Sequence, residues 1–73
     1  MSYYTTQLNA FKDIDNLLNI TKAGNQDADI NYLIYEITKV HAISPKVVKE
    51  RIKLWAEIQG IKILDNILKI EAR

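Results

Sequence analysis

Lys46, Lys49 and Lys53 recur at spacings of three and four in a chain of 73 residues, which aligns three cations along one side of a helix. Ammonium groups so arranged can approach one groove of a polyanion together and neutralise its phosphates. Ser44 and the free amides of the helix start behind it could hold a further phosphate. Glu50 can accept from a cytosine amino group or repel phosphate. Lys62 and Lys69 add two cations downstream. Other chemistry lacks its parts. With no cysteine there is no disulfide and no thiolate metal site. His41 is the one histidine, so neither a metal site nor a cofactor is expected. Asp13 and Asp15, two apart, cannot face each other on a helix as a catalytic pair. No nucleophile–base pair and no glycine-rich phosphate cradle stands in the sequence, and enzymatic activity is not expected.

The lysines need a helix to carry them, and residues 44–59 supply one. Ser44-Pro45 is an N-cap followed by a proline at the first helical position. Val48, Ile52 and Trp55 form the inward stripe, which makes Trp55 a core anchor in preference to a stacking platform. Gly60 stands where a C-cap glycine belongs. Upstream, Thr5 or Thr6 is expected to cap a first helix reaching about Lys22, with Leu8, Phe11, Ile14, Leu17 and Leu18 on its apolar side. Residues 1–4 are expected to be a loose end. Gly24-Asn25 closes this helix and Gln26 to Ala28 make a short polar connection.

Asp29 is the next N-cap, ahead of Ile30, Leu33, Ile34 and Ile37, and this second helix should reach about Lys39. Tyr32 and Tyr35 flank its stripe, Tyr35 being placed to meet a backbone group or a phosphate. Proline at 45 forces a turn before the third helix, with Ile43 plugging the gap between the two. Arg51 is expected to point toward the second helix. After Gly60, a hairpin over residues 61–70 with Asp65-Asn66 as its turn pairs Ile63 with Leu68, Lys62 with Lys69 and Ile61 with Ile70. That register puts the four aliphatic residues on one face and both lysines on the other, repelling unless an anion lies between them. A helix over the same residues, with Ile63, Ile67 and Ile70 as its stripe, would make the whole chain a helical bundle instead.

Size and charge narrow the partner. The composition is that of a globular domain near the lower size limit for a self-sufficient core, and residues 1–73 form one domain. Such a chain is expected to bury only about 60% of its unfolded surface, which favours a homodimer. No apolar run is long enough to cross a bilayer, and the N-terminus lacks the basic and apolar regions of a signal peptide. The expectation is a soluble, intracellular protein of the cytoplasm. The net charge of +1 hides an asymmetry: residues 1–38 carry two lysines against five acids, and residues 39–73 carry eight basic residues against four acids. One face only is suited to a polyanion.

The order of three capped helices, glycine and hairpin resembles the winged helix-turn-helix family. Asp29-Ile30, Ile43-Ser44, the stripe Val48, Ile52 and Trp55, and Gly60-Ile61 carry the resemblance, which spans about residues 8–70. It implies an α+β, mainly helical fold: a three-helix winged helix-turn-helix with a C-terminal two-stranded β-hairpin wing. It further implies a small DNA-binding transcriptional regulator, suited to a virus, plasmid or other small genome. The helix at 44–59 would enter the major groove of double-stranded DNA through Ser44, Lys46, Lys49, Glu50 and Lys53. Lys62 and Lys69 of the hairpin would lie near the phosphates. Scarce arginine implies modest sequence specificity unless dimerisation adds to it. The alternative is a winged-helix protein–protein interaction module without nucleic-acid binding, favoured by near-neutral total charge and the acidic hairpin tip. Its docking surface would be the helix over residues 6–22.

Overall fold

The computed structural model describes residues 3–71, with side chains from Leu8 onward. The chain runs α1 (Tyr3–Ala23), β1 (Ala28–Asp29), α2 (Ile30–Thr38), α3 (Pro45–Gln59), β2 (Ile63–Leu64) and β3 (Ile67–Leu68). It is an α+β arrangement, mainly helical, with one small antiparallel sheet in the order β1-β3-β2.

α1 begins earlier than its threonines suggest. Tyr3 and Tyr4 belong to the helix, so Thr5 and Thr6 lie within it and do not cap it. Residues 1 and 2 of the expected loose end lie outside the described residues. Ala10, Ile14 and Leu18 are buried along the helix, with Phe11 and Leu17 half-buried beside them, while Leu8 stays 43% exposed. A methyl group at position 10 therefore holds the core place expected of Leu8. The helix closes through Asn25, whose φ of 54° is left-handed and whose N–H donates to the Lys22 carbonyl at 3.0 Å.

The link after α1 is more than a connection. Ala28 and Asp29 pair with Leu68 and Ile67, so the expected two-stranded hairpin is one part of a three-stranded sheet. The Ile30 N–H extends this pairing to the Asn66 carbonyl at 3.0 Å. The inner strand of a hairpin offers unpaired backbone groups on its outer edge, and the link must satisfy its own. A strand of two residues is too short to leave an alternating pattern in the sequence.

α2 opens as expected, with Asp29 Oδ1 accepting from the Asn31 N–H at 2.8 Å. Ile30, Leu33 and Ile37 are buried. The turn that follows is held by the Val40 and His41 N–H groups, both donating to the Ile37 carbonyl, and Ile43 is buried between the helices. Ser44 caps α3, its Oγ accepting from the Lys46 N–H at 3.2 Å, with Pro45 at the first position. Val48, Ile52, Trp55 and Ala56 are buried.

Gly60 ends α3 at φ 71°, its N–H donating to the Glu57 carbonyl and that of Ile61 to the Ala56 carbonyl. Those two bonds are a Schellman closure, which turns the chain back over the core. The hairpin then takes the expected register, Ile63 opposite Leu68 and Leu64 opposite Ile67, with Lys69 N–H donating to the Lys62 carbonyl. Asp65 and Asn66 have φ of 53° and 64°, the two left-handed residues of a type I′ turn. Ile61, Leu68 and Ile70 are buried and Ile63 half-buried, so the segment packs as a hairpin and not as a fourth helix.

Two substitutions isolate these backbone constraints. Nothing lies within 4 Å of a Cβ built on Gly60, so Gly60→Ala meets no clash and registers the left-handed conformation alone. It should lower stability by about 1–2 kcal/mol. Asn66→Gly should raise stability by several tenths of a kcal/mol, because glycine adopts the second turn position without strain. Urea denaturation of both variants reads each effect.

Candidate functional site

The acids of the N-terminal half all have partners within the protein. Asp13 Oδ2 lies 2.6 Å from His41 Nε2, tying α1 to the turn between α2 and α3. Asp15 receives Arg51 through two bonds, Nε to Oδ1 at 3.2 Å and Nη2 to Oδ2 at 2.8 Å. The guanidinium carbon also stands 5.2 Å from the centre of the Phe11 ring. The hydrogen bonds that Arg51 donates to Asp15 raise its pKa above the ordinary value, against the opposing effect of burial, so the group stays charged. Arg51 thus points to α1, where the sequence had suggested α2. The guanidinium forks onto a carboxylate on one helix and stacks on a ring one turn before it.

Asp27 holds two groups near the hairpin. Its Oδ1 accepts from the Glu71 N–H at 2.8 Å, and its Oδ2 lies 3.6 Å from Lys69 Nζ. Asp27, from the link before β1, thus meets one of the two facing lysines and not the other. Lys69 is consequently engaged within the protein, where the sequence placed it near phosphates. Glu36 meets Lys39 at 3.3 Å, and Lys39 Nζ stands 5.4 Å from the Tyr35 ring centre. Tyr32 and Tyr35 are both exposed. Lys22 Nζ donates to Gln59 Oε1 at 2.6 Å, joining the last turns of α1 and α3.

All five acids of residues 1–38 are therefore occupied, three in ion pairs with Lys or Arg, Asp13 against the His41 ring and Asp29 in its cap. Lys46, Lys49, Lys53 and Lys62 have no carboxylate within ion-pair distance among the described residues. Lys46, Lys53 and Lys62 are exposed and Lys49 is half-buried. Ser44 is exposed at the head of the same helix; its Oγ accepts the capping bond and keeps its O–H as a donor. Glu50 and Glu57 stand exposed on this side too, each four residues after a lysine. The fold thus brings Ser44, Lys46, Lys49, Glu50 and Lys53 onto one helix, sets Lys62 just past its cap, and diverts Lys69.

A second exposed feature escaped the sequence reading. Val47, Leu54 and Ile58, spaced by seven and four, form another apolar stripe on α3, beside the lysines. Leu54 is 48% and Ile58 72% exposed. With Phe11, Lys46, Glu50 and Arg51, the residues Val47 and Leu54 line an open groove of about 330 Å³ between α1 and α3. The spacing was visible, but the stronger stripe of Val48, Ile52 and Trp55 accounted for the helix without it. No group of three metal-binding side chains comes together among the described residues. None of their helices is long and apolar enough to cross a membrane.

The Asp15–Arg51 pair is open to a double-mutant cycle. Asp15→Ala, Arg51→Ala and the double variant should give a coupling of about 0.5–1 kcal/mol, because both groups remain roughly one-third exposed. Arg51→Ala alone should cost more than Asp15→Ala, since it also removes the contact with Phe11. Comparison with protein-family models, curated proteins and solved structures finds no match to this chain.

Proposed function

We propose that this chain is a winged-helix domain that binds double-stranded DNA and acts as a small, non-catalytic transcription regulator. α3 lies in the major groove, and the hairpin that follows Gly60 is the wing, running beside the phosphates. The observation that carries this reading is the separation of charge: the N-terminal acids are consumed by internal partners, while Lys46, Lys49, Lys53 and Lys62 are left for an external anion. A phosphate backbone supplies anions in a row, and lysines on successive turns of one helix match it. The order of α2, a short turn closed by Ile43, and the capped α3 supports the same reading, since it leaves the lysine side of α3 uncovered.

The protein works as a homodimer in this proposal, with two α3 helices about one DNA turn apart, roughly 34 Å. A protein-binding module is the second reading, and the groove between α1 and α3 favours it. Leu54 lines that groove, and Leu54 and Ile58 are apolar and exposed beside the lysines.

Duplex binding measured against salt separates the two. Removing Lys46, Lys49 and Lys53 together should weaken binding to duplex DNA and flatten the dependence of log affinity on log salt by about 2.7, or about 0.9 for each cation. Leu54→Ala with Ile58→Ala should leave that dependence unchanged. If duplex affinity does not fall as salt rises, or the triple lysine variant binds like the parent, DNA is not the partner.

A further inference from the structure

Recognition of base sequence in a major groove depends on a short list of side chains. Arginine or lysine reads guanine, asparagine and glutamine read adenine, carboxylates accept from cytosine, and serine or threonine contacts either. α3 contains one arginine and one glutamine, and both are withdrawn. Arg51 is forked onto Asp15 and stacked on Phe11, on the flank of α3 away from the lysines. Gln59 accepts from Lys22 at 2.6 Å in the last turn. The exposed charged side of α3 then consists of Lys46, Lys49, Lys53, Glu50 and Glu57. Lysine can reach guanine, but as a flexible point charge it lacks the rigid fork of arginine and suits phosphate equally well. Glu50 is the one acceptor in the middle of that side that could single out a base, cytosine, by its amino group.

Glu50 and Glu57 are also anions on a surface offered to anions. Neither has an ion-pair partner among the described residues, even though each follows a lysine by one helical turn. Beside phosphate they repel.

We propose that α3 reads the phosphate backbone of duplex DNA and not its base sequence, and that Glu50 and Glu57 restrain the affinity of this contact. This rests on the DNA-binding reading above. The partner class is then any DNA duplex, and an effect on transcription follows from occupancy and not from a specific address. The two glutamates keep the contact weak enough to exchange, since each opposes the attraction of the lysine one turn before it.

The test uses the intact chain and labelled duplexes, one of random sequence and others enriched by repeated selection for tight binding. Affinity is read by fluorescence anisotropy from roughly 50 to 200 mM salt, the range over which phosphate contacts lose most of their strength. The expected salt slope is about −3.6 for four released cations. The best selected duplex should bind less than about tenfold tighter than the random one, far below the 10³–10⁷ typical of sequence readers. Glu50→Gln and Glu57→Gln should each tighten binding to every duplex by roughly two- to fivefold, the size of one repulsion across about 4–8 Å of water-like medium.

A selected duplex held more than about tenfold tighter overturns the proposal. So does a Glu50→Gln variant that weakens binding to selected duplexes alone, since Glu50 would then be reading cytosine. Unchanged affinity in both glutamine variants removes the restraining role. Absence of salt-dependent binding by the parent chain removes the underlying DNA reading as well, and so is distinguishable from a failure of this inference alone. Both glutamates are exposed, so these substitutions leave the core intact.

Discussion

The rest of the structure depends on a backbone pairing only two residues long. Ala28 and Asp29 join β3, and in doing so they determine where the hairpin sits against the helices. Asp29 has two roles at once, since its backbone pairs opposite Ile67 while its side chain caps α2. The next N–H, that of Ile30, reaches the carbonyl of Asn66 in the hairpin turn. The start of α2 and the tip of the hairpin are therefore bonded directly. This brings the buried side chains of Ile30, Leu68 and Ile70 into the same core as Ile14, Leu18 and Ile52. Without the pairing, a two-stranded hairpin would be marginal in water. With it, the segment after Gly60 becomes part of the domain's packing.

Charge follows the same economy. A chain this small has little surface to separate its charges, and the fold does so by pairing across long sequence distances. Asp15 meets Arg51, Asp13 meets His41 and Asp27 meets Lys69. Each exposed pair contributes little to stability. Their larger consequence is positional, because they engage the acids of α1 and of the link. What is left over is Lys12 on α1 and a cluster of lysines on α3 and at the base of the hairpin. The acidic half thus contributes to the character of the basic surface by not competing for it.

The two outward features of α3 pull in different directions. One side is charged and suited to a polyanion; the neighbouring side is apolar and meets Phe11 of α1 across an open groove. Isolated exposed aliphatic residues are ordinary on small domains. Val47, Leu54 and Ile58 are instead aligned, and they mark the edge at which the charged side of α3 gives way to an apolar one.

By itself, the sequence determined the features governed by local backbone chemistry. Ser44-Pro45 and Gly60 bound α3 because a cap, a ring-locked φ and a left-handed closure act within a few residues. Asp29 starts α2 for the same reason, and Asp65-Asn66 produces the turn that sets the hairpin register. Periodicity identified Ile14, Leu18, Val48, Ile52 and Trp55 as core, since burial of a helix stripe repeats in the sequence.

The tertiary structure alone decided what joins distant parts. β1 is two residues with no pattern of its own, and its partner lies about forty residues on. Arg51 turns to α1 because Asp15 and Phe11 offer it a carboxylate and a ring together, a choice set by how the helices pack. Lys69 is drawn to Asp27 because β1 brings the link alongside β3. Spacing could align Lys46, Lys49 and Lys53 along one helix. Which cations remain free depended on which acids the fold placed beside the others, and that is a property of the packed chain.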